Sequence, residues 1–199
     1  MSTPKGLEGH RYSTYNGVIE LAIMQQVVEA DGGDFSQVNL IPYTLEDEPG
    51  ALMEDLTDAI WVYYGWGGIN AQLAGLDFDY FYFKDIDPVF DYYTPIIIAN
   101  NDFLAEDPDT AKAFLSAAAQ GYEYAIEHPE EAAQMLIDGD TTGSLSASEE
   151  LIVESQKWMA DQYKAEVEQW GYIDPARWNA FYNWLNENAL VAVDIPEGT

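Results

Sequence analysis

Asp58-Ala59-Ile60-Trp61-Val62-Tyr63-Tyr64-Gly65-Trp66-Gly67-Gly68 is the stretch that decides the fold of this chain. Ile60 to Tyr64 is a run of β-branched and aromatic residues, which favours a strand. Gly65, Gly67 and Gly68 then free the backbone for a sharp turn, and helix-forming residues follow. A strand-to-helix turn of this kind is where an open α/β sheet forms its ligand crevice. Two tyrosines and a tryptophan at that place offer flat surface for stacking a flat ring. The competing reading, aromatics filling the core around a buried strand, stays open on composition alone.

The neighbouring segments repeat the pattern. Arg11 to Tyr15 reads as a strand, and Asn16-Gly17 as a turn. Val18 to Ala30 reads as a helix with Ile19, Ala22, Ile23 and Val27 at helical spacing, interrupted by Gln26. Asp31-Gly32-Gly33-Asp34 supplies a glycine stop. Val38 to Pro42 is a second short β-type run, and Leu45 to Leu56 a helix with Pro49 near its start. Ile69 to Ala74 is a short helix closed by Gly75, and Phe78 to Phe83 alternates aromatics as a strand does. The alternation of strand and helix from about residue 11 to 83 predicts an α/β fold, a mostly parallel sheet with helices on both faces.

Asp85-Ile86-Asp87-Pro88-Val89-Phe90-Asp91-Tyr92-Tyr93-Thr94-Pro95 reads as a crossover, leading into an expected strand Ile96 to Ala99. Beyond Asn100 the chain turns helical. Expected helices cover Thr110 to Ile126, Ala132 to Ile137, Ser148 to Trp170, and a last one opened by Asp174-Pro175. These helices carry more apolar and aromatic surface than one strand covers, so exposed apolar faces and self-association are expected here.

Composition excludes several classes. Thirty-six Asp and Glu stand against seven Lys and Arg, a formal net charge of −29. Nucleic acid and anionic membranes are neutralised by Lys and Arg, so no nucleic-acid partner is expected. Such a charge suits salty or extracellular surroundings, where screening shortens repulsion to about 8–10 Å. With no cysteine there is no disulfide, thiolate nucleophile or Cys-bound metal. His10 and His128 are far apart, which leaves a zinc site or a serine-histidine triad without its set of groups. The apolar runs are too short to span a membrane. Met1 to Gly6 lacks the apolar core of a signal peptide.

Three local motifs were weighed. Tyr15-Asn16-Gly17 opens a helix whose free N–H groups suit a polar ligand edge, with Glu20 one turn on, where it either meets a ligand or serves the helix end. Asp138 to Glu149 places acids at loop positions 1, 3 and 12 and glycine at position 6, near an EF-hand pattern. Thr142 at position 5 and the lack of a second hand favour a capped inter-helix loop instead. Asp85 and Asp87 read as turn residues in a carboxylate-rich chain. No nucleophile, base and orienting group assemble, so no catalytic residue, metal or cofactor is expected.

Three stretches in order, Trp61-Val62-Tyr63-Tyr64-Gly65-Trp66, Asp91-Tyr92-Tyr93-Thr94-Pro95-Ile96-Ile97-Ile98-Ala99 and Gly121 to Ala133, resemble the NMT1/THI5-like substrate-binding proteins of ABC importers, including the ThiY-type binders of thiamin pyrimidine precursors. Trp170-Gly171-Tyr172-Ile173-Asp174 with Trp178, Phe181 and Trp184-Leu185 is similar to that family's C-terminal helices. The resemblance runs from about residue 9 to 192.

It implies a type II periplasmic-binding-protein-like fold with ligand held between two lobes. On that frame, 9–94 is the second lobe, and 95–199 returns through the hinge into the helical part of the first lobe. The family's N-terminal part has no counterpart, so the resemblance implies an N-terminally truncated member. It further implies a flat heterocyclic ligand stacked by Tyr63, Tyr64 and Trp66, with Tyr15, Asn16, Glu20, Asp91 and Tyr92 as polar contacts. Permease subunits would be its partners and its location extracytoplasmic. ThiY-like members often carry an acid directly after Tyr-Tyr-Gly-Trp. Here that position is Gly67, so charged recognition is either lost or moved to Glu20 or Asp91. The alternatives are a sulfonate, nitrate or riboflavin-like ligand, a pyrimidine-synthesising relative (disfavoured by the missing cysteines) and a non-binding remnant.

Overall fold

The computed structural model describes residues 1–42 and 47–198. Its described residues fall into two compact units. One comprises those within Met1–Tyr63, Ala71–Thr94 and Ile173–Thr199, the other those within Tyr64–Asn70 and Pro95–Tyr172.

The first unit is built on three parallel strands, β1 (Arg11–Thr14), β2 (Asn39–Pro42) and β3 (Ala59–Ile60), in the order β2-β1-β3. Arg11 lies opposite Asn39 and Thr14 opposite Pro42, while Tyr12 faces Ala59. Parallel neighbours require a crossover, and helices supply it. Helix α1 (Val18–Ala30) joins β1 to β2, and the short α2 (Glu48–Met53) precedes β3. The expected start of that second helix at Leu45 lies outside the described residues. Helix α1 has the bounds its spacing predicts. It ends as its glycines dictate: Gly32 takes a left-handed φ of 76°, and Gly33 N–H donates to the Val28 carbonyl at 2.8 Å.

Two stripes of α1 are buried, and they face different neighbours. Met24 and Val28 pack with Leu7, Tyr12 and Val38 beside the sheet. Ile23 and Val27, each fully buried, pack with Phe90 and with Phe181, Trp184 and Leu185 of the C-terminal helix Pro175–Glu187. Trp61 and Phe83 touch both clusters, their rings meeting edge to face at 4.7 Å.

An ion pair fixes the entry to β3. Arg11 Nε donates to Asp58 Oδ2 at 3.0 Å and Nη2 to Oδ1 at 2.6 Å, while the Asp58 N–H donates back to the Arg11 carbonyl. Arg11 also holds the Asp55 carboxylate, and Asp55 adopts φ 57°. The Arg11 guanidinium pulls Asp58 from the ordinary 3.8 to about 2.

Helix α3 (Ile69–Leu73) follows the central glycines, and α4 (Phe83–Ile86) follows the aromatic run. The second unit is mainly helical. It contains α5 (Asn101–Glu106), α6 (Pro108–Glu127), α7 (Pro129–Gly139) and α8 (Glu149–Gln162); the C-terminal helix of the first unit is α9. Prolines open α6, α7 and α9 at positions where a missing N–H costs nothing. Asp107 caps α6 by accepting from Thr110 N–H at 3.1 Å. Lys164 ties to Glu123 and Lys157 to Glu130. The loop from Asp138 to Glu149 is a capped connection: the Asp140 carboxylate accepts from Thr142 N–H and Leu145 N–H, both at 2.8 Å. These donors and the Thr142 hydroxyl hold Asp140 well below the usual carboxylate range.

Several expected elements change. The strand expected over Ile60 to Tyr64 stops at Ile60, and Tyr64–Gly68 winds into a π-helical turn. Gly65 explains why: a Cβ there would stand 2.8 Å from Met159 Sδ and 2.9 Å from the Trp158 ring of α8. The Ser155 hydroxyl donates to the Gly65 carbonyl, fastening that close approach. Phe78 to Phe83 and Ile96 to Ala99 join no ladder among the described residues. The aromatic alternation survives as extended chain, with Tyr80 and Tyr82 rings 5.5 Å apart, and Phe81 and Phe83 turned to the core. Such runs fit a half-buried pleat, but that preference depends on a neighbouring strand. The helix expected to Trp170 ends at Gln162; the chain then folds back so that Trp170 stacks on Tyr122 at 4.2 Å.

Replacing Ile23 by alanine should cost about 2–5 kcal/mol of stability, because the site is fully buried and cannot collapse from both sides; urea unfolding measures it, and a loss below about 1 kcal/mol contradicts the two-sided packing. For Asp58 the folded pKa lies below the unfolded one. Its contribution is therefore present above about pH 4 and is lost as pH falls toward 2. Thermal melts should show Asp58→Asn less stable than wild type at neutral pH and nearly equal to it near pH 2.

Candidate functional site

Six of the eight expected binding residues belong to the first unit: Tyr15, Asn16, Glu20, Tyr63, Asp91 and Tyr92. Tyr64 and Trp66 belong to the second.

Tyr15 and Asn16 occupy the turn between β1 and α1. Asn16 takes φ 59°, a left-handed conformation that asparagine tolerates better than most side chains. The Tyr15 ring lies over Gly17, where a Cβ would come within 2.4 Å of it, so glycine is what lets the ring fold back. Tyr15 is 64% exposed and Tyr63, three residues past the end of β3, is 69% exposed. Both are open to solvent at the C-terminal side of a parallel sheet, where such folds place ligands.

Tyr92 joins them from the loop before residue 95. Partial burial raises its phenol pKa, and the nearby phenols of Tyr63 and Tyr15 add to the rise. Tyr15 is raised likewise by burial, then by Glu20 and Tyr63. Tyr92 is thus near enough to both other phenols for their charge to act on it. The raised Tyr15 and Tyr92 phenols stay neutral hydroxyls at ordinary pH, able to donate and to accept.

Tyr92 is held in place by α9. Its ring stacks on Phe181 with centroids 4.0 Å apart and planes 14° from parallel. Phe181 stacks in turn on Trp184 at 5.9 Å and 19°. On either side of Tyr92, the neighbours are anchored to the start of α9. Arg177 Nη2 donates to Asp91 Oδ1 at 2.7 Å, and Arg177 Nε donates to the Asp91 carbonyl. The Arg177 guanidinium also lies 4.4 Å over the Tyr93 ring, whose hydroxyl accepts from Asp174 N–H at 2.9 Å. Asp91 is thus paired with Arg177.

Glu20 is likewise engaged within the protein. It is 1% exposed and accepts from Tyr12, Thr14 and Gly17. Tyr12, 1% exposed, is pushed far above the ordinary tyrosine range by burial and by this carboxylate. Both acids named for charged recognition already have donors, which leaves the phenols as the groups facing outward.

In the second unit Tyr64 leans on Trp158 of α8, with centroids 5.3 Å apart, and Trp66 is 47% exposed. Sequence reasoning missed Arg177, Phe181 and Trp184 as supports of Tyr92. Their spacing at i, i+4 and i+7 marks one face of α9, but nothing local says what that face meets.

The arrangement of a small parallel sheet, crossover helices and aromatic side chains at its C-terminal side is that of an α/β binding protein. The sequence profile described as NMT1/THI5 like matches residues 1–132, and the chain belongs to that family. It is similar to the formylaminopyrimidine-binding protein of Halalkalibacterium halodurans, 27% identical over 190 residues, which cover 90% of this chain and 56% of the relative. The chain thus spans little more than half the length of that protein. Family and relative together point to a binding protein and not an enzyme.

Proposed function

We propose that the chain is the solute-binding component of an ABC importer, and that it takes a flat aminopyrimidine, a thiamin-precursor type of ring. The observation that carries this reading is Tyr92 held against the Phe181–Trp184 stack, with the exposed Tyr15 and Tyr63 near enough to act on its phenol. A ring laid against Tyr92 would extend an aromatic ladder already in place, so little side-chain freedom is lost on binding. Phenol hydroxyls and the Asn16 amide would meet ring nitrogens and an amino group. The formylaminopyrimidine named for the relative has this chemistry. Tyr64 and Trp66 are retained as stacking residues of the same reading.

An anionic ligand such as a sulfonate or nitrate ranks lower. Arg11 is held by Asp55 and Asp58, and Arg177 by Asp91. The importer's permease subunits and an extracytoplasmic location belong to the same proposal. Among the described residues no helix is long and apolar enough to cross a membrane.

Calorimetric titration against a formylaminopyrimidine, a flavin and a sulfonate tests the ligand class. The pyrimidine should bind and the sulfonate should not; a response to the sulfonate alone overturns the reading. Tyr92→Ala should weaken pyrimidine binding by about tenfold or more, since stacking on one aromatic contributes about 1–3 kcal/mol.

Self-association through the helices is part of the proposal. Phe114, Leu115, Met135 and Leu136 of α6 and α7 are each about half exposed. The net charge of −29 opposes association at low salt, and screening relieves it. Sedimentation velocity should therefore show larger species as salt rises; a single monomer at every salt and protein concentration rejects this part.

A further inference from the structure

Glu20 is placed unlike a ligand contact. Its side chain is sealed from solvent, and its partners all come from the six residues before α1. Oε1 accepts from the Tyr12 hydroxyl at 2.6 Å. Oε2 accepts from the Thr14 hydroxyl at 2.8 Å and from Gly17 N–H at 3.1 Å. The Thr14 hydroxyl accepts in turn from Asn16 N–H at 2.9 Å. One carboxylate thus gathers the end of β1 and the whole turn.

That gathering has a conformational purpose. Asn16 sits at φ 59°, a left-handed conformation that is costly for most side chains and that asparagine adopts with local hydrogen bonds. The relay from Asn16 N–H through Thr14 to Glu20 holds it there, and the Gly17 bond holds the other side. Tyr15 lies between two tied residues, and its ring is laid back over Gly17. Glu20 is also the third residue of α1, where a carboxylate reaching back to the helix entry satisfies an orphan donor. A charged acceptor binds such donors more strongly than a neutral one does, and burial sharpens the preference.

We infer that Glu20 is a positioning residue of the binding site: it locks the Thr14–Gly17 turn in the geometry that presents Tyr15 and Asn16, and it does not touch the ligand. The inference rests on the binding reading above. It assigns Tyr15 and Asn16 as a preorganised pair whose alignment depends on one buried carboxylate.

The test compares Glu20→Gln with Ala51→Gly in the full chain. Ala51 is buried on α2, outside both core clusters and away from the turn, so the helix-weakening glycine controls for general destabilisation. Calorimetry with a formylaminopyrimidine should show Glu20→Gln weaker by about tenfold and Ala51→Gly nearly unchanged. An affinity loss no greater in Glu20→Gln than in Ala51→Gly overturns the inference. If Glu20→Gln does not fold, Thr14→Val carries the same comparison, because it removes the relay hydroxyl at nearly constant shape. If the wild-type chain binds no pyrimidine, the ligand reading fails separately, and amide NMR decides the positioning role. Displaced Asn16 and Gly17 resonances in Glu20→Gln or Thr14→Val but not in Ala51→Gly support it; unmoved resonances overturn it.

Discussion

The first unit depends on a helix buried on two sides. Helix α1 presents Met24 and Val28 to the sheet and Ile23 and Val27 to the C-terminal helix, and no other element touches both layers so fully. Apolar burial of about 25 cal/mol per Å² makes such a helix the main cohesive element of its unit. Its position also sets the site. The first turn of α1 carries Glu20, which organises the loop bearing Tyr15, and its apolar face seats α9, which carries the support of Tyr92. On the proposed reading, packing and recognition are two uses of the same thirteen residues.

Much of this was legible in the sequence. The bounds of α1, its glycine stop and the parallel alternation of β1, α1 and β2 followed from local spacing and turn chemistry. So did the proline starts of α6, α7 and α9, because a proline at a helix entry acts through its own ring. What failed to show locally was set by distant partners. Gly65 leaves the strand because α8 needs its backbone close, some ninety residues later. Phe78 to Phe83 alternates like a strand but pairs with no strand among the described residues, so the pattern yields no ladder there.

The site shows the same division. Tyr15, Asn16, Tyr63 and Tyr92 are legible from a turn, a strand end and a family resemblance; the stack that holds Tyr92 is not. Glu20 and Asp91 were named as polar contacts because both are acids near these turns. The sequence offers no sign that each already holds donors, since those come from a strand register in one case and from Arg177 in the other.

The anchoring of Asp91, Tyr92 and Tyr93 on α9 spans more than eighty residues of chain. Contacts of such separation form late, after loop closure has been met by other gains. A ribosome releases Tyr15, Tyr63 and Tyr92 long before it releases Phe181. During that interval the emerging polypeptide carries the three phenols with one of them untethered. On the proposed reading, competence to recognise a ring therefore waits on α9, and the binding surface matures only once that helix has docked against Tyr92.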